Sequence, residues 1–75
     1  MARPLYEIAA EIYACWKPVS PYAAPSLSAM TELNTIKDHY YLDSGYSVVA
    51  YFLSNAASFK GEDARRIKAE LKAML

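Results

Sequence analysis

The fold is decided by the stretch DSGYSVVAYFLSNAASFKGEDARRIKAELKAML, residues 43–75. Asp43 and Ser44 are residue types that cap helix N-termini, and Gly61 interrupts the pattern midway. The residues that share an apolar face are Val48, Val49, Phe52, Ala56 and Phe59 before Gly61, and Ala64, Ile67, Leu71, Met74 and Leu75 after it. This spacing has the period of an amphipathic helix. The stretch therefore predicts two helices that form an antiparallel hairpin about Lys60-Gly61.

Two more helices are predicted upstream. The first has Pro4 in its first turn and ends by Trp16, since Pro18 cannot continue it. Its predicted core face is Leu5, Ile8, Ala9, Ile12, Cys15 and Trp16. The second covers about 22–33, and its apolar residues are spaced by threes, which carries them around the helix. We therefore expect this helix to break near Asn34.

No stretch alternates in the strand pattern, and the chain has only two glycines. We predict an all-α, single helical domain over residues 1–75, a compact four-helix bundle with a C-terminal helical hairpin and the first helix packed across it. A fifth helical turn near 35–41 is the alternative, because Thr35 and Asp38 resemble a capping pair. Asn55 falls within the apolar arc of the third helix, so we expect it to be buried and to hold a neighbouring loop.

Charge and cysteine content narrow the class of protein. Eight basic and eight acidic residues give a net charge of zero, whereas a dedicated DNA-binding domain usually has a basic excess. The longest uncharged stretch, residues 44–59, is too short and too polar to span a membrane. Cys15 is the only cysteine, which excludes an internal disulfide and favours a reducing compartment. We therefore expect a cytoplasmic protein with no membrane contact.

Residues with catalytic or metal-binding chemistry are few. His39 is the only histidine, and its neighbours Asp38 and Asp43 lack a recognisable ligand spacing. Cys15 has no basic neighbour on its predicted helix that would lower its pKa. Glu11 is predicted to be solvated on the polar face of the first helix. We expect no catalytic residues, no metal and no cofactor, and hence a protein that is not an enzyme.

Seven tyrosines are present, and two of them, Tyr40 and Tyr41, are adjacent beside a predicted loop. Neighbouring residues point in different directions, so both cannot be fully buried. An exposed tyrosine at such a place is a candidate partner contact, because aromatic residues are enriched at interface hot spots. The alternative is that both rings only pack over the loop edges.

A basic stripe follows one flank of the last helix and consists of Arg65, Lys68 and Lys72 at positions i, i+3 and i+7. It could contact nucleic-acid phosphates or an acidic protein surface. Alternatively, it is solvated or pairs with the acidic middle of the chain, which contains Glu32, Asp38 and Asp43.

Residues 43–56 and 61–71, with Glu7-Ile8-Ala9 and Trp16-Lys17, resemble a group of small uncharacterised proteins encoded by bacteriophages and integrated mobile elements. The resemblance covers most of the chain. It implies such an origin and a setting in the cytoplasm of a bacterial host cell. It implies no activity and no functional residues.

The predicted function is a non-catalytic protein-binding accessory module of phage or mobile-element origin, with a host or phage protein as its partner. Tyr40, Tyr41, Arg65, Lys68 and Lys72 are the candidate partner-binding residues. Self-association stays open, because a small core gains from burying more apolar surface. The alternative function is weak nucleic-acid binding through the basic flank of the last helix, which the neutral net charge disfavours.

Overall fold

Four helices and one small antiparallel sheet make up the computed structural model, which describes residues 3–75. The helices are α1 (Leu5–Cys15), α2 (Ala24–Met30), α3 (Gly45–Ser54) and α4 (Glu62–Met74), and the strands are β1 (His39–Tyr40) and β2 (Asp43–Ser44). The four predicted helices are confirmed. The all-α prediction is wrong for residues 39–44, which form a β-hairpin.

Helix α1 has the predicted bounds, and a distant loop completes its first turn. The backbone N–H groups of Leu5 and Tyr6 donate to the carbonyl oxygens of Asn34 and Leu33, each at 2.9 Å. These donors have no partner inside the helix, so the loop provides the cap that Pro4 lacks. Cys15 is exposed, contrary to prediction. Its side chain lies beside Asp63 in the first turn of α4, while Trp16, whose backbone is extended, is buried in the core.

Helix α2 is shorter than predicted because it ends at Met30, before the expected break near Asn34. Asp38 then organises the following loop, since its Oδ2 accepts hydrogen bonds from the N–H groups of Asn34 and Thr35, each at 3.0 Å. Thr35 Oγ1 accepts from the N–H of Lys37 at 3.1 Å. The predicted capping pair forms only in part, because Asp38 accepts from the N–H of Thr35 while the N–H of Asp38 donates to the carbonyl oxygen of Thr35 and not to its hydroxyl. These bonds stabilise a turn that leads into β1. The alternative of a fifth helix is wrong.

Helix α3 begins as predicted, with Ser44 Oγ accepting a hydrogen bond from the N–H of Ser47 at 3.1 Å. Its first residue, Gly45, lies against the loop before β1. A Cβ on Gly45 would lie 2.6 Å from the carbonyl oxygen of Thr35, so only glycine permits this approach. Asn55 is half-buried and donates to the carbonyl oxygen of Tyr51 at 3.0 Å. It ends its own helix, which corrects the prediction that it holds another loop.

The helices contact different neighbours from those that the predicted α3–α4 hairpin requires. Helix α3 packs mainly against α2, while α4 packs mainly against α1, which also contacts α2. The predicted hairpin of α3 and α4 is therefore not the main contact of either helix. Trp16 connects the end of α1 with α3 and with the loop before α4. Its ring stacks on that of Phe59, with the centroids 4.9 Å apart, and meets that of Phe52 edge-on at 6.2 Å.

The buried apolar residues form one core. They are Leu5, Ile8, Ala9, Ile12, Trp16, Ala23, Leu27, Ala29, Met30, Leu33, Val48, Val49, Phe52, Ala56, Phe59, Ala64, Ile67 and Leu71. This set confirms most of the predicted apolar faces. Met74 is only partly buried, and Leu75 is exposed. Both follow Leu71, the last fully buried residue of α4.

An ion-pair network joins the residue before Pro4 to α1 and α4. Arg3 Nη2 lies 2.7 Å from Glu70 Oε1 and 2.9 Å from Glu11 Oε1, and Arg66 pairs with Glu11 and Asp63. The prediction that Glu11 is solvated is therefore wrong, because its carboxylate lies between two guanidinium groups. No helix in the described part of the chain is long and apolar enough to cross a membrane.

Candidate functional site

The β-hairpin ends in a two-residue turn that consists of Tyr41 and Leu42. Tyr40 pairs with Asp43 in the register of the hairpin, which leaves the turn between them. Tyr41 has a φ of +58°, a left-handed conformation that is unusual for a bulky residue. The side chains of Tyr41 and Leu42 are 84% and 98% exposed. An aromatic and an aliphatic side chain thus project together into solvent, and we call this pair the hairpin tip.

Tyr40 lies between the hairpin tip and the core. It is half-buried against the core, and its ring meets that of Tyr41 edge-on, with the ring centroids 4.7 Å apart. The prediction that the two neighbouring tyrosines are not both fully buried is confirmed. Such aromatic pairs contribute about 0.5–1.5 kcal/mol beyond their burial. The contact therefore helps to hold Tyr41 in its exposed position.

A cleft of about 370 Å³ lies beside the hairpin, between α2 and α3. It is lined by Tyr22, Pro25, Ser26, Ala29, Tyr40, Asp43, Ser47, Val48 and Tyr51, and we call it the tyrosine cleft. Tyr22 and Tyr51 are 78% and 66% exposed. Three tyrosine rings and a proline therefore form much of its wall.

Three local patterns bring these side chains together. The chain from Tyr22 into α2 presents positions i, i+3, i+4 and i+7 to the cleft, a spacing that places them on one face. Ser47 and Tyr51 are one turn apart on α3. Tyr40 and Asp43 are directly opposite in the hairpin, so their side chains emerge on the same side of the sheet.

The electrostatics around the cleft are acidic. Glu32, partial burial and Tyr41, in that order, raise the pKa of the Tyr40 hydroxyl. The phenol therefore stays neutral at physiological pH and can donate a hydrogen bond. Asp43 lies in the cleft wall and forms no ion pair with any residue from 3 to 75.

The basic stripe lies elsewhere. Lys68 Nζ is 5.8 Å from the centroid of the Phe59 ring, and burial, Lys72 and Lys60 lower the pKa of its ammonium group. Arg65 and Lys68 line a second cleft of about 350 Å³ together with Phe59, Lys60 and Gly61. Tyr40 therefore lines the tyrosine cleft, whereas Arg65 and Lys68 line the second cleft. Tyr41 and Lys72 line neither of these two clefts.

The expected internal partners of the basic stripe do not contact it. Within the described residues, Arg65, Lys68 and Lys72 form no ion pair, either with Glu32, Asp38 and Asp43 or with Glu62. The self-pairing alternative is therefore wrong. The pKa of the Lys68 ammonium group is lowered mainly by its burial and then by the charges of Lys72 and Lys60.

Metal and nucleophile chemistry finds little support in the geometry. In the described range, no three His, Cys, Asp or Glu side chains converge closely enough to hold a metal ion. Cys15 Sγ lies 3.8 Å from Asp63 Oδ2. Partial desolvation and the Asp63 carboxylate raise the pKa of this thiol, which disfavours the reactive thiolate.

Comparison with protein-family models, with curated proteins and with solved structures found no match to this chain. The resemblance to phage and mobile-element proteins therefore stays a prediction.

Sequence reasoning missed Tyr22, Leu42 and Tyr51 as site residues. A useful signal was present for Leu42, because it follows Tyr40 and Tyr41 directly and precedes the capping residues of α3. No signal in the sequence connects Tyr22 with Tyr51. They become neighbours of the hairpin only through the packing of α2 against α3.

Proposed function

We propose that this chain is a non-catalytic protein-binding accessory module, of phage or mobile-element origin, that acts in the cytoplasm of a bacterial host cell. Its partner contacts the hairpin tip and the tyrosine cleft. The observation that carries the proposal is the exposure of Tyr41 and Leu42 side by side, next to a cleft walled by three further tyrosines.

The backbone at Tyr41 strengthens the proposal. A bulky residue in the left-handed region costs about 1–2 kcal/mol, and glycine would occupy the position without this cost. The residue is exposed, and the edge contact of its ring with Tyr40 offsets only part of this cost, so packing alone does not account for a tyrosine here. Strained conformations of this kind cluster at functional sites. Exposed tyrosines offer large, rigid contact area to a partner.

Affinity capture from bacterial host lysate tests this function. We expect Tyr41→Gly combined with Leu42→Ser to remove specific partners, because glycine suits the turn and only the two side chains are lost. Tyr13→Ser is the matched control, since Tyr13 is a partly exposed tyrosine on α1 that does not line the cleft. A set of captured proteins that is the same for all three chains would overturn the proposal.

Self-association through the hairpin tip is tested with the chain alone. Sedimentation velocity would show a dimer in the parent chain and a monomer in the Tyr41→Gly, Leu42→Ser variant. In that case a second copy is the partner, and lysate capture should recover no other protein that depends on the tip.

The second candidate function is weak nucleic-acid binding through the basic stripe. It is favoured by the lack of any ion pair between a carboxylate and Arg65, Lys68 or Lys72 in the described chain. Unpaired cations along one helix flank attract the phosphates of a nucleic-acid backbone.

Fluorescence anisotropy with a labelled single-stranded oligonucleotide tests this second function. Affinity should fall steeply with salt and decrease on Arg65→Ala and Lys72→Ala, since each removes a phosphate contact. Lys37→Ala, an exposed lysine outside the stripe, should have no effect. Absence of binding at low salt would exclude this function.

A further inference from the structure

The tyrosine cleft combines aromatic walls with an uncompensated negative charge. Its lining residues include Asp43 and no basic residue. Glu32 lies close enough to Tyr40 to act on it electrostatically, and within residues 3–75 neither Asp43 nor Glu32 forms an ion pair. A partner that occupies the cleft therefore meets a negative potential and gains from bringing a cation.

Aromatic rings add to the preference for a cation. Arginine and lysine side chains are attracted to the faces of tyrosine rings within about 6 Å, and this attraction acts together with a nearby carboxylate. Tyr22 and Tyr51 are exposed tyrosines that line the cleft. The cleft thus offers two kinds of contact to a guanidinium or ammonium group.

The shape of the cleft narrows the backbone conformation of the partner. Strand addition is disfavoured because β1 and β2 have two residues each, which leaves almost no free edge. A helix docks into a groove of continuous apolar surface, whereas this wall mixes tyrosines with Ser26, Ser47 and Asp43. Aromatic-lined grooves instead suit polyproline segments, which are already extended and lose little entropy on binding.

We propose that the tyrosine cleft binds an extended, proline-rich peptide segment that carries an arginine or lysine. The prolines pack on the rings of Tyr22, Tyr40 and Tyr51, and the cation pairs with Asp43. This inference rests on the proposed protein-binding function and specifies the chemistry of its partner.

Peptide titration of the isotopically labelled full chain, followed by NMR, tests the inference. The probes are a proline-rich peptide with two arginines, the same peptide with glutamate in place of arginine, and an arginine peptide with glycine and serine in place of proline. We expect chemical-shift changes confined to the cleft residues. The arginine–proline peptide should bind about tenfold more tightly than either of the other two.

Matched variants distinguish the contribution of the Asp43 charge from that of the Tyr51 ring, and both from a loss of folding. Asp43→Asn should reduce affinity about tenfold, while Glu7→Gln, at an exposed glutamate of α1, should not. Tyr51→Ser should weaken binding, and Tyr51→Phe should retain it because the ring remains. Circular dichroism and Trp16 fluorescence confirm that each variant is folded.

Two outcomes would overturn the inference. One is equal affinity for the arginine and glutamate peptides, and the other is no shift change at the cleft with any proline-rich peptide. If lysate capture still depends on Tyr41 and Leu42, the protein-binding function stands and only the chemistry of the partner is wrong. If capture is also independent of these residues, both proposals fail.

Discussion

Gly45 shows how a single residue without a side chain holds a distant loop in place. Its N–H donates to the carbonyl oxygen of Asp38 at 2.6 Å, and the next N–H, of Tyr46, donates to that of Ile36 at 2.9 Å. A Cβ on Gly45 would lie 2.6 Å from Thr35 O and 2.8 Å from Ile36 Cα, both of them backbone atoms that cannot rotate away. The loop and the start of α3 would have to separate.

Gly45→Ala should therefore lower the free energy of unfolding by about 1–3 kcal/mol, the usual cost of an overpacked site. Urea denaturation followed by the fluorescence of Trp16, the only tryptophan, measures the change. Ser54→Ala is the control, because Ser54 is exposed on the same helix, and its effect should stay within about 0.5 kcal/mol. Equal stability of the two variants would contradict the close approach.

Tyr41 shows what residue patterns can and cannot predict. The adjacency of Tyr40 and Tyr41 is enough to predict that they are not both fully buried, since neighbouring side chains leave the backbone in different directions. It does not predict that the two rings meet edge-on. The positive φ of Tyr41 is not predictable, because left-handed turns are signalled by glycine, asparagine or aspartate. Neither Tyr41 nor Leu42 gives that signal. Here the two-residue turn between the paired residues Tyr40 and Asp43 favours a positive φ whatever residue occupies it.

Among the elements, α3 depends most clearly on its first residues. Ser44 belongs to β2 and also caps α3, so one side chain fixes the junction between the hairpin and the helix. Ser44→Ala should destabilise the protein by about 1 kcal/mol, since the N–H of Ser47 loses its partner. Ser44→Asp should retain most of the stability. Thermal unfolding by circular dichroism compares the three chains, and equal midpoints would show that the cap is not important.

The elements also differ in how much the sequence says about them. Helices α1, α3 and α4 each combine a helical apolar period with a local boundary signal. These signals are the prolines around α1, the capping serine of α3 and the glycine before α4, and the bounds of the helices follow from them. Strands β1 and β2 are too short to show alternation, so no pattern reports them. The tyrosine cleft depends on three elements at once. For that reason the sequence suggests Tyr40 and Tyr41 as candidate contact residues but does not suggest Tyr22 and Tyr51.

On the scale of the whole molecule, apolar packing and one ion-pair network connect distant parts of the chain. The contact between α3 and α4 was mispredicted because local periodicity indicates which face of a helix is buried but not which other helix covers that face. The stacked rings of Trp16 and Phe59 connect the end of α1 with the loop before α4. Arg3 forms ion pairs with both Glu11 on α1 and Glu70 on α4. The network reinforces the contact between α1 and α4 rather than the predicted hairpin of α3 and α4.

The same network makes stability depend on pH. Hydrogen bonds from Arg66 and then Arg3 lower the pKa of Glu11, and the hydrogen bond from Arg3 lowers the pKa of Glu70. Both carboxylates are thus more acidic in the folded chain than in the unfolded chain, where glutamate titrates near its ordinary 4.5. A lowered pKa in the folded state stabilises the fold above the unfolded value, and this contribution is lost as the pH falls through the folded value.

Glu11→Gln should therefore be less stable than the parent chain at pH 7, and the difference should shrink once the pH falls below about 4.5, the unfolded value. The side chains are only partly buried, so the difference at pH 7 should also decrease with added salt. Glu7→Gln provides the control, because Glu7 is exposed on the same helix and forms no ion pair within residues 3–75. Its pH profile should parallel that of the parent chain. Urea midpoints measured from pH 7 to pH 3 test this prediction. If the difference in midpoint between Glu11→Gln and the parent chain stays constant with pH, the network does not account for the acid sensitivity.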